Sequence, residues 1–216
     1  MQAILDFVRG LYTTEGLTTL IQTGGLIALI AIVFSETGLL VGFFLPGDSL
    51  LVTAGIFASP HAVGGQLFDP VVLTVSLVIA AILGDQLNYV LGRKTGDVVY
   101  SRPDGRLIKR HHFEQARVFY EMRGPSAIVI ARFVPILRTF VPFIGGVAKM
   151  NYRRFVAYNI VGGTVWVVSL VSLGYVVGMT PLAAKLHRVI VVVIAVSLLP
   201  LVYGAWKQWR ATRTVG

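Results

Sequence analysis

Cysteine is absent from the 216 residues, and charge is scarce. The first absence excludes disulfides, thiol nucleophiles, iron–sulfur ligands and cysteine zinc sites together. Histidine is nearly as rare: His61, His111, His112 and His187 are the full set, and no H-x-x-x-H pair occurs. Neither GxxxxGK[ST] nor GxSxG is present, so nucleotide hydrolysis and a nucleophile elbow have no support. With no nucleophile–base pair or ligand set in view, neither an enzyme nor a resident metal or cofactor is expected. Charged residues make up 13% of the chain, against about 25% in a soluble domain. Too few remain to cover a globule of this size.

What is there instead is apolar. Hydrophobic residues account for 55% of the sequence, and the mean hydropathy is +0.76. Residues 155–179 hold 25 positions without a charge and 189–206 hold 18, each enough to cross about 30 Å of hydrocarbon as a helix. The chain is therefore expected to be an all-α polytopic membrane protein. The first apolar run begins near residue 24 and lacks a small-residue cleavage site, so no removable signal peptide is expected. A net charge of +9 could suit nucleic acid, but in so apolar a chain anionic lipid headgroups are the expected counterpart.

The charges that exist are segregated. Eight basic residues against four acids leave Gly92–Gly124 at +4, whereas 59–69, on the other side of segment 70–91, has no Lys or Arg. The positive-inside rule makes 92–124 a basic cytoplasmic loop and puts the tail 207–216, with Lys207, Arg210 and Arg213, in the cytoplasm too. Segments 155–179 and 189–206 return the chain to the side it left, so residues 125–148 must enter and leave by one face. That stretch is broken by Pro135, Pro142 and the pair Gly145-Gly146, which predicts a re-entrant hairpin. Residues 24–58 echo it, with Phe44-Leu45-Pro46 aligning to Phe140-Val141-Pro142 and a crossing at 70–91 to follow. The expected architecture is two inverted repeats, 1–91 and 125–206, each a re-entrant helical hairpin followed by transmembrane helix. Ile4, Phe7, Val8, Leu11 and Tyr12, and likewise Phe113, Ala116 and Tyr120, read as amphipathic interfacial helices.

Four charged residues fall inside the hairpins: Glu36, Asp48, Arg132 and Arg138. Each costs roughly 2.5–3.5 kcal/mol at mid-bilayer on insertion scales, so they must be paired or hydrated. Arg132 and Arg138 suit a bidentate grip on a phosphate, and Glu36 and Asp48 are candidates to exchange a proton. The alternative is a set of salt bridges that only pins the hairpins together. In a further cluster Asp85, Asn88, Tyr89 and Gly92 share one helical face and run into Arg93; Asp85, Asn88, Tyr89 and Arg93 either line the inner mouth of a pathway or end a helix, with Asp85 paired to Arg93 or the basic loop.

The motifs Glu36-Thr-Gly, Phe44-Leu-Pro46-Gly-Asp48, Gly84-Asp85-x-x-x-Tyr89-x-x-Gly92-Arg93-x-x-Gly96 and Arg132-Phe-x-Pro135-x-x-Arg138-x-x-x-Pro142, with Gly146 and Met150, resemble those of the DedA family, the SNARE-associated or VTT-domain membrane proteins. The resemblance covers roughly residues 24 to 180. It implies two facing re-entrant hairpins, a bacterial inner-membrane location and lipid translocation. Undecaprenyl phosphate is the implied cargo, proton-motive force the implied drive, and Glu36, Asp48, Arg132 and Arg138 the residues that matter. A passive phospholipid scramblase and a proton-coupled exporter of small ions or solutes are the alternatives. Expected partners are membrane lipids, either polyprenyl phosphate or phospholipid, with anionic headgroups at the basic loop and room for a homodimer.

Overall fold

A computed structural model describes residues 14–40, 47–62, 65–101, 128–129 and 132–181. Five helices organise them: α1 (Thr14–Gly38), α2 (Gly47–Phe57), α3 (Pro70–Ser101), α4 (Pro135–Val147) and α5 (Tyr152–Gly178), with no strand among the described residues. Thr18–Gly38, Pro70–Gly96 and Tyr152–Gly178 are long and apolar enough to cross a membrane. At about 1.5 Å per residue the latter two exceed the hydrocarbon thickness. Their outer faces are apolar: Val72, Val75, Ile79 and Leu83 on α3, and Val161 and Val165 on α5, are exposed at helical spacing. Glu36, Asp85, Arg132 and Arg138 are buried instead. This distribution fits lipid as the surrounding solvent, and the chain is a multi-pass membrane protein.

The two long helices are started alike. Asp69 accepts from the Val71 and Val72 amides through Oδ1 at 2.9 Å each, with Pro70 following as a first helical residue that has no amide to satisfy. Asn151 accepts from the Arg154 amide in the same way at the start of α5.

Three expectations are corrected. The crossing read as 70–91 continues to Ser101, so the first turns of the presumed basic loop are helix. Gly92 and Gly96 pack against α4 there, and tertiary contact overrides the weak propensity of glycine. Second, α1 begins well before residue 24. It is bent at Gly25 (φ 55, ψ −151), a conformation that glycine alone adopts without strain. Third, Pro142, Gly145 and Gly146 do not break anything: α4 runs through all three. Only Pro135 acts as expected, opening α4 after Val134, whose backbone is extended (φ −117, ψ 112). Residues Val141 to Val147 are buried throughout; an interrupted backbone would leave amides and carbonyls there without partners, which outweighs the one hydrogen bond that Pro142 forfeits. Pro46, most of the basic loop, the crossing at 189–206, the tail and both amphipathic stretches lie outside the described residues.

Packing is set by glycines. A methyl group on Gly55 of α2 would overlap the Val171 carbonyl of α5, and one on Gly174 would overlap the Val52 carbonyl of α2. The pair α3 and α4 repeats this: Gly146 lies on the Tyr89 carbonyl and Gly92 on the Phe143 carbonyl. In both pairs the contacting residues are three apart on each helix. Ile56 against Gly178 and Val147 against Gly96 continue the two registers in the same direction, so α2 runs parallel to α5, and α4 to α3. Gly38 of α1 sits 3.2 Å from the Gly84 backbone of α3, and Gly162 of α5 is 3.3 Å from the Val129 backbone, measured to an added Cβ.

The neighbours Gly145 and Gly146 should respond oppositely to alanine. The nearest atoms to a Gly145 methyl stand at 3.9 Å, so G145A should raise the thermal midpoint in detergent, by the usual helix gain of about 0.4–1 kcal/mol. A Gly146 methyl meets backbone, with the Arg93 nitrogen 2.7 Å away. G146A should therefore lower the midpoint, at a cost of roughly 1–3 kcal/mol. Equal midpoints for the two variants would refute the close approach of α3 and α4.

Candidate functional site

Along α3 the order is an apolar cluster at Leu73, Leu77, Ala80 and Ala81, then Asp85, then a second cluster at Tyr89. Along α5 the order is reversed: Phe155 belongs to the second cluster, Asn159 to the polar layer, and Val167 and Val171 to the first. The two helices are thus antiparallel, and a polar layer is sealed between apolar clusters at either end.

Two ion-pair networks fill this layer. Arg138 of α4 bridges two acids, donating from Nη2 to Glu36 of α1 and from Nη1 to Asp48 of α2. Its guanidinium carbon lies 5.1 Å over the Trp166 ring of α5, and the Trp166 indole N–H donates to Asp48 Oδ1 at 3.0 Å. Asp48 therefore receives from both residues of a cation–π pair. The second network centres on Arg132, which donates from Nη2 to Asp85 of α3 and to Asn159 of α5. The Asn159 amide donates onward to the Ile82 carbonyl at 3.1 Å. Glu36 and Asp85 are no more than 1% exposed, Arg132 3% and Arg138 6%. Asp48 is the most open member of the layer, with 16% of its side chain exposed.

Of the residues singled out from sequence, Glu36, Asp48 and Arg138 meet in one cluster. Arg132 does not join them but pairs with Asp85. The helix-end reading of Asp85 does not hold, because it sits in mid-helix and its partner is Arg132, not Arg93. Asn88 is spent on packing: its amide donates to the Thr37 carbonyl at 3.1 Å and the Thr139 carbonyl at 2.7 Å, tying α1 to α4 across α3. Tyr89 is buried, stacked on Phe155 with ring centroids 4.4 Å apart, and donates its hydroxyl to the Met150 carbonyl. Arg93 is exposed and reaches the Tyr89 hydroxyl at 3.4 Å. Arg132 Nε, Arg138 Nε and Thr139 Oγ1 are buried with no hydrogen-bond partner.

Asn159 and Trp166 were not foreseen. The signal was available: Asn159 is an amide within a charge-free apolar run, where polar groups mark function or pairing. Trp166 lies in the middle of that run, away from the interfacial positions tryptophan favours.

A family model, the VTT domain, matches residues 45–176. Protein DedA of Escherichia coli is 43% identical over 184 residues, covering 85% of this chain and 83% of that one. The chain belongs to the DedA family. Inner membrane protein YqjA of Escherichia coli is 36% identical over 157 residues, 73% of this chain and 69% of that one. An uncharacterised membrane protein of Mycobacterium leprae is 37% identical over 185 residues, 85% and 81% of the two chains. No solved structure matches. The matched VTT region contains Asp48, Asp85, Arg132, Arg138, Asn159 and Trp166, while Glu36 precedes it. In this DedA-family chain three carboxyl groups therefore share one layer with two guanidinium groups, Asp85 joining the four charges that the sequence places inside the hairpins.

Proposed function

We propose that the protein translocates a lipid-linked phosphate, with undecaprenyl phosphate as the first candidate, across the bacterial cytoplasmic membrane, driven by proton movement. It acts as a carrier and not as an enzyme, its partners are membrane lipids, and its C-terminus is cytoplasmic. The observation that carries this reading is the sealed polar layer. Two arginines with spare buried Nε donors and three acids are held between apolar clusters in a membrane protein, where unpaired charge is expensive and tends to mark a transport path.

The chemistry follows from competition. A guanidinium engaged by carboxylates has no fork free for a phosphate; protonating Glu36 or Asp48 removes one of the charges holding Arg138 and frees donors for the incoming headgroup. Deprotonation restores the pair and expels the phosphate. With three acids and two arginines, the layer is neutral when one carboxyl carries a proton, which supports coupling. The inverted-repeat reading draws support from the matched glycine registers of α2 with α5 and α4 with α3, and from the antiparallel course of α3 and α5. The re-entrant reading of the first hairpin draws support from the bend at Gly25: residues 26–38 rise only about 20 Å as a helix, short of a crossing. Arg93, Lys94, Lys149, Arg153 and Arg154 are exposed at the same end of the two long helices, the end expected at the cytoplasmic, anionic surface.

Purified protein in vesicles should move polyprenyl phosphate between leaflets faster when a pH gradient is imposed. Glu36→Gln keeps the shape and removes the titrating group, so the variant should lose its response to the gradient. Transport by the parent protein that ignores the gradient would favour passive scrambling, and no movement of polyprenyl phosphate under any gradient would refute the proposal.

A further inference from the structure

The contacts between helices are of two kinds, and they sort the helices differently from the order of the chain. Backbone lies directly on backbone between α1 and α3 (Gly38 on Gly84), between α3 and α4 (Gly92, Gly146) and between α2 and α5 (Gly55, Gly174), and Gly162 of α5 meets the backbone at Val129. At Gly38, Gly55, Gly92, Gly146 and Gly174 the three nearest atoms are all backbone, so there is little to re-rotamer or to slide; such contacts hold helices as a block. Two blocks result. One comprises α1, α3 and α4, the other Ile128, Val129 and Arg132 with α2 and α5. Each takes one arm from either hairpin and one long helix.

Between the blocks, the named polar and aromatic contacts are made by side chains. Arg138 of the first block meets Asp48 and Trp166 of the second. Arg132 of the second meets Asp85 of the first. Asn159 donates across to the Ile82 carbonyl, and Tyr89 stacks on Phe155. By contrast, Arg138–Glu36 and Arg132–Asn159 each lie within one block. The two arginines therefore carry the same wiring: one partner at home, one acid across the boundary. The described connections that cross the boundary are also where the backbone departs from helix. The step from Arg132 to α4 passes through the extended Val134, and the step from α4 to α5 passes through Lys149 at φ 53. Element-terminal residues of this kind absorb rotation between rigid parts.

We propose that these two blocks move against each other as rigid bodies, and that Arg138–Asp48 and Arg132–Asp85 are the latches between them, whose release opens the sealed layer. Asp85 is thereby a working residue, the counterpart of Asp48, and Trp166 and Asn159 position the arginine–aspartate pairs. This goes beyond the identity of the cargo and holds for any substrate that enters the layer.

The cysteine-free sequence allows a direct test, because introduced cysteines meet no background thiol. Spin labels at Ile79→Cys and Val161→Cys report across the boundary, and labels at Ile27→Cys and Ile79→Cys report within the first block; all three positions are exposed. Pulsed electron–electron distance measurements in lipid should show the cross-boundary distribution shifted or broadened in the Asp48→Asn/Asp85→Asn background, with the within-block distribution unchanged. A change in both, or in neither, overturns the proposal. A second arm uses disulfides. A Cβ at Gly163 lies 3.2 Å from Ile82 Cγ1 across the boundary, and one at Gly96 lies 3.5 Å from Val147 Cγ1 within a block, both within reach of a disulfide after small adjustments. Oxidising Ile82→Cys/Gly163→Cys should stop lipid movement and reduction should restore it, whereas oxidising Gly96→Cys/Val147→Cys should leave it as in the reduced protein. The opposite pattern overturns the proposal. Should no lipid move even in reduced protein, the cargo assignment fails while the spin-label distances still decide whether the blocks exist.

Discussion

Arg138→Ala is expected to have the largest effect of any single substitution in the protein. Arg138 neutralises Glu36 and Asp48 at once and caps the Trp166 ring, so its removal strands two acids inside apolar surroundings. Breaking one buried pair by deleting a partner costs about 3–5 kcal/mol because the other charge remains; here two remain. The variant should lose transport entirely and unfold at a clearly lower temperature in detergent. Arg138→Lys separates the causes. It keeps the charge but has no planar fork to reach both acids, so stability should largely return while transport stays down by on the order of 100-fold, about 3 kcal/mol of barrier. A lysine variant that transports normally would remove the bidentate geometry from the mechanism.

Much of this site is legible in the sequence. Charges inside apolar runs are so costly that Glu36, Asp48, Arg132 and Arg138 declared themselves by position alone, and the demand that they be paired followed from the same cost. The choice of partners was not legible. Nothing in the local pattern says that Arg132 turns to Asp85 and not to Glu36 or Asp48, since that depends on where separate helices cross, and the crossings are set by Gly55, Gly92, Gly146 and Gly174. Some of those glycines stood in recognisable spacings, yet a spacing does not name the helix that will lie in the notch. Proline misled for a related reason. Pro142 has the chemistry of a breaker, but in a buried helix every freed backbone group needs a partner, and the helix persists. The long helices were plain in outline because composition fixes a crossing, while the far end of α3 was missed because its last turns are polar.

The pair Arg132–Asp85 should behave differently from Arg138 when both partners are removed. Asp85→Asn alone leaves Arg132 with only the neutral Asn159 as a partner, and Arg132→Gln alone leaves Asp85 as a buried anion; each should destabilise by several kcal/mol on the scale of a broken buried bridge, about 3–5. The double variant leaves no orphan charge and keeps groups able to hydrogen-bond, so its stability should return to near the parent value, giving a coupling energy of roughly 6–10 kcal/mol in the double-mutant cycle. Thermal melts of the four proteins in one detergent measure this directly. Transport should not return with stability. A neutral amide pair can hold the two blocks together, but it offers no guanidinium to exchange carboxylate for phosphate and no charge to unlatch. A double variant that is both stable and active would show that Arg132 and Asp85 serve only to join α3 to the segment before α4, and the working site would then shrink to Glu36, Asp48, Arg138 and Trp166. A double variant that stays as unstable as either single one would mean that the bridge itself, and not the orphaned charge, holds the layer shut.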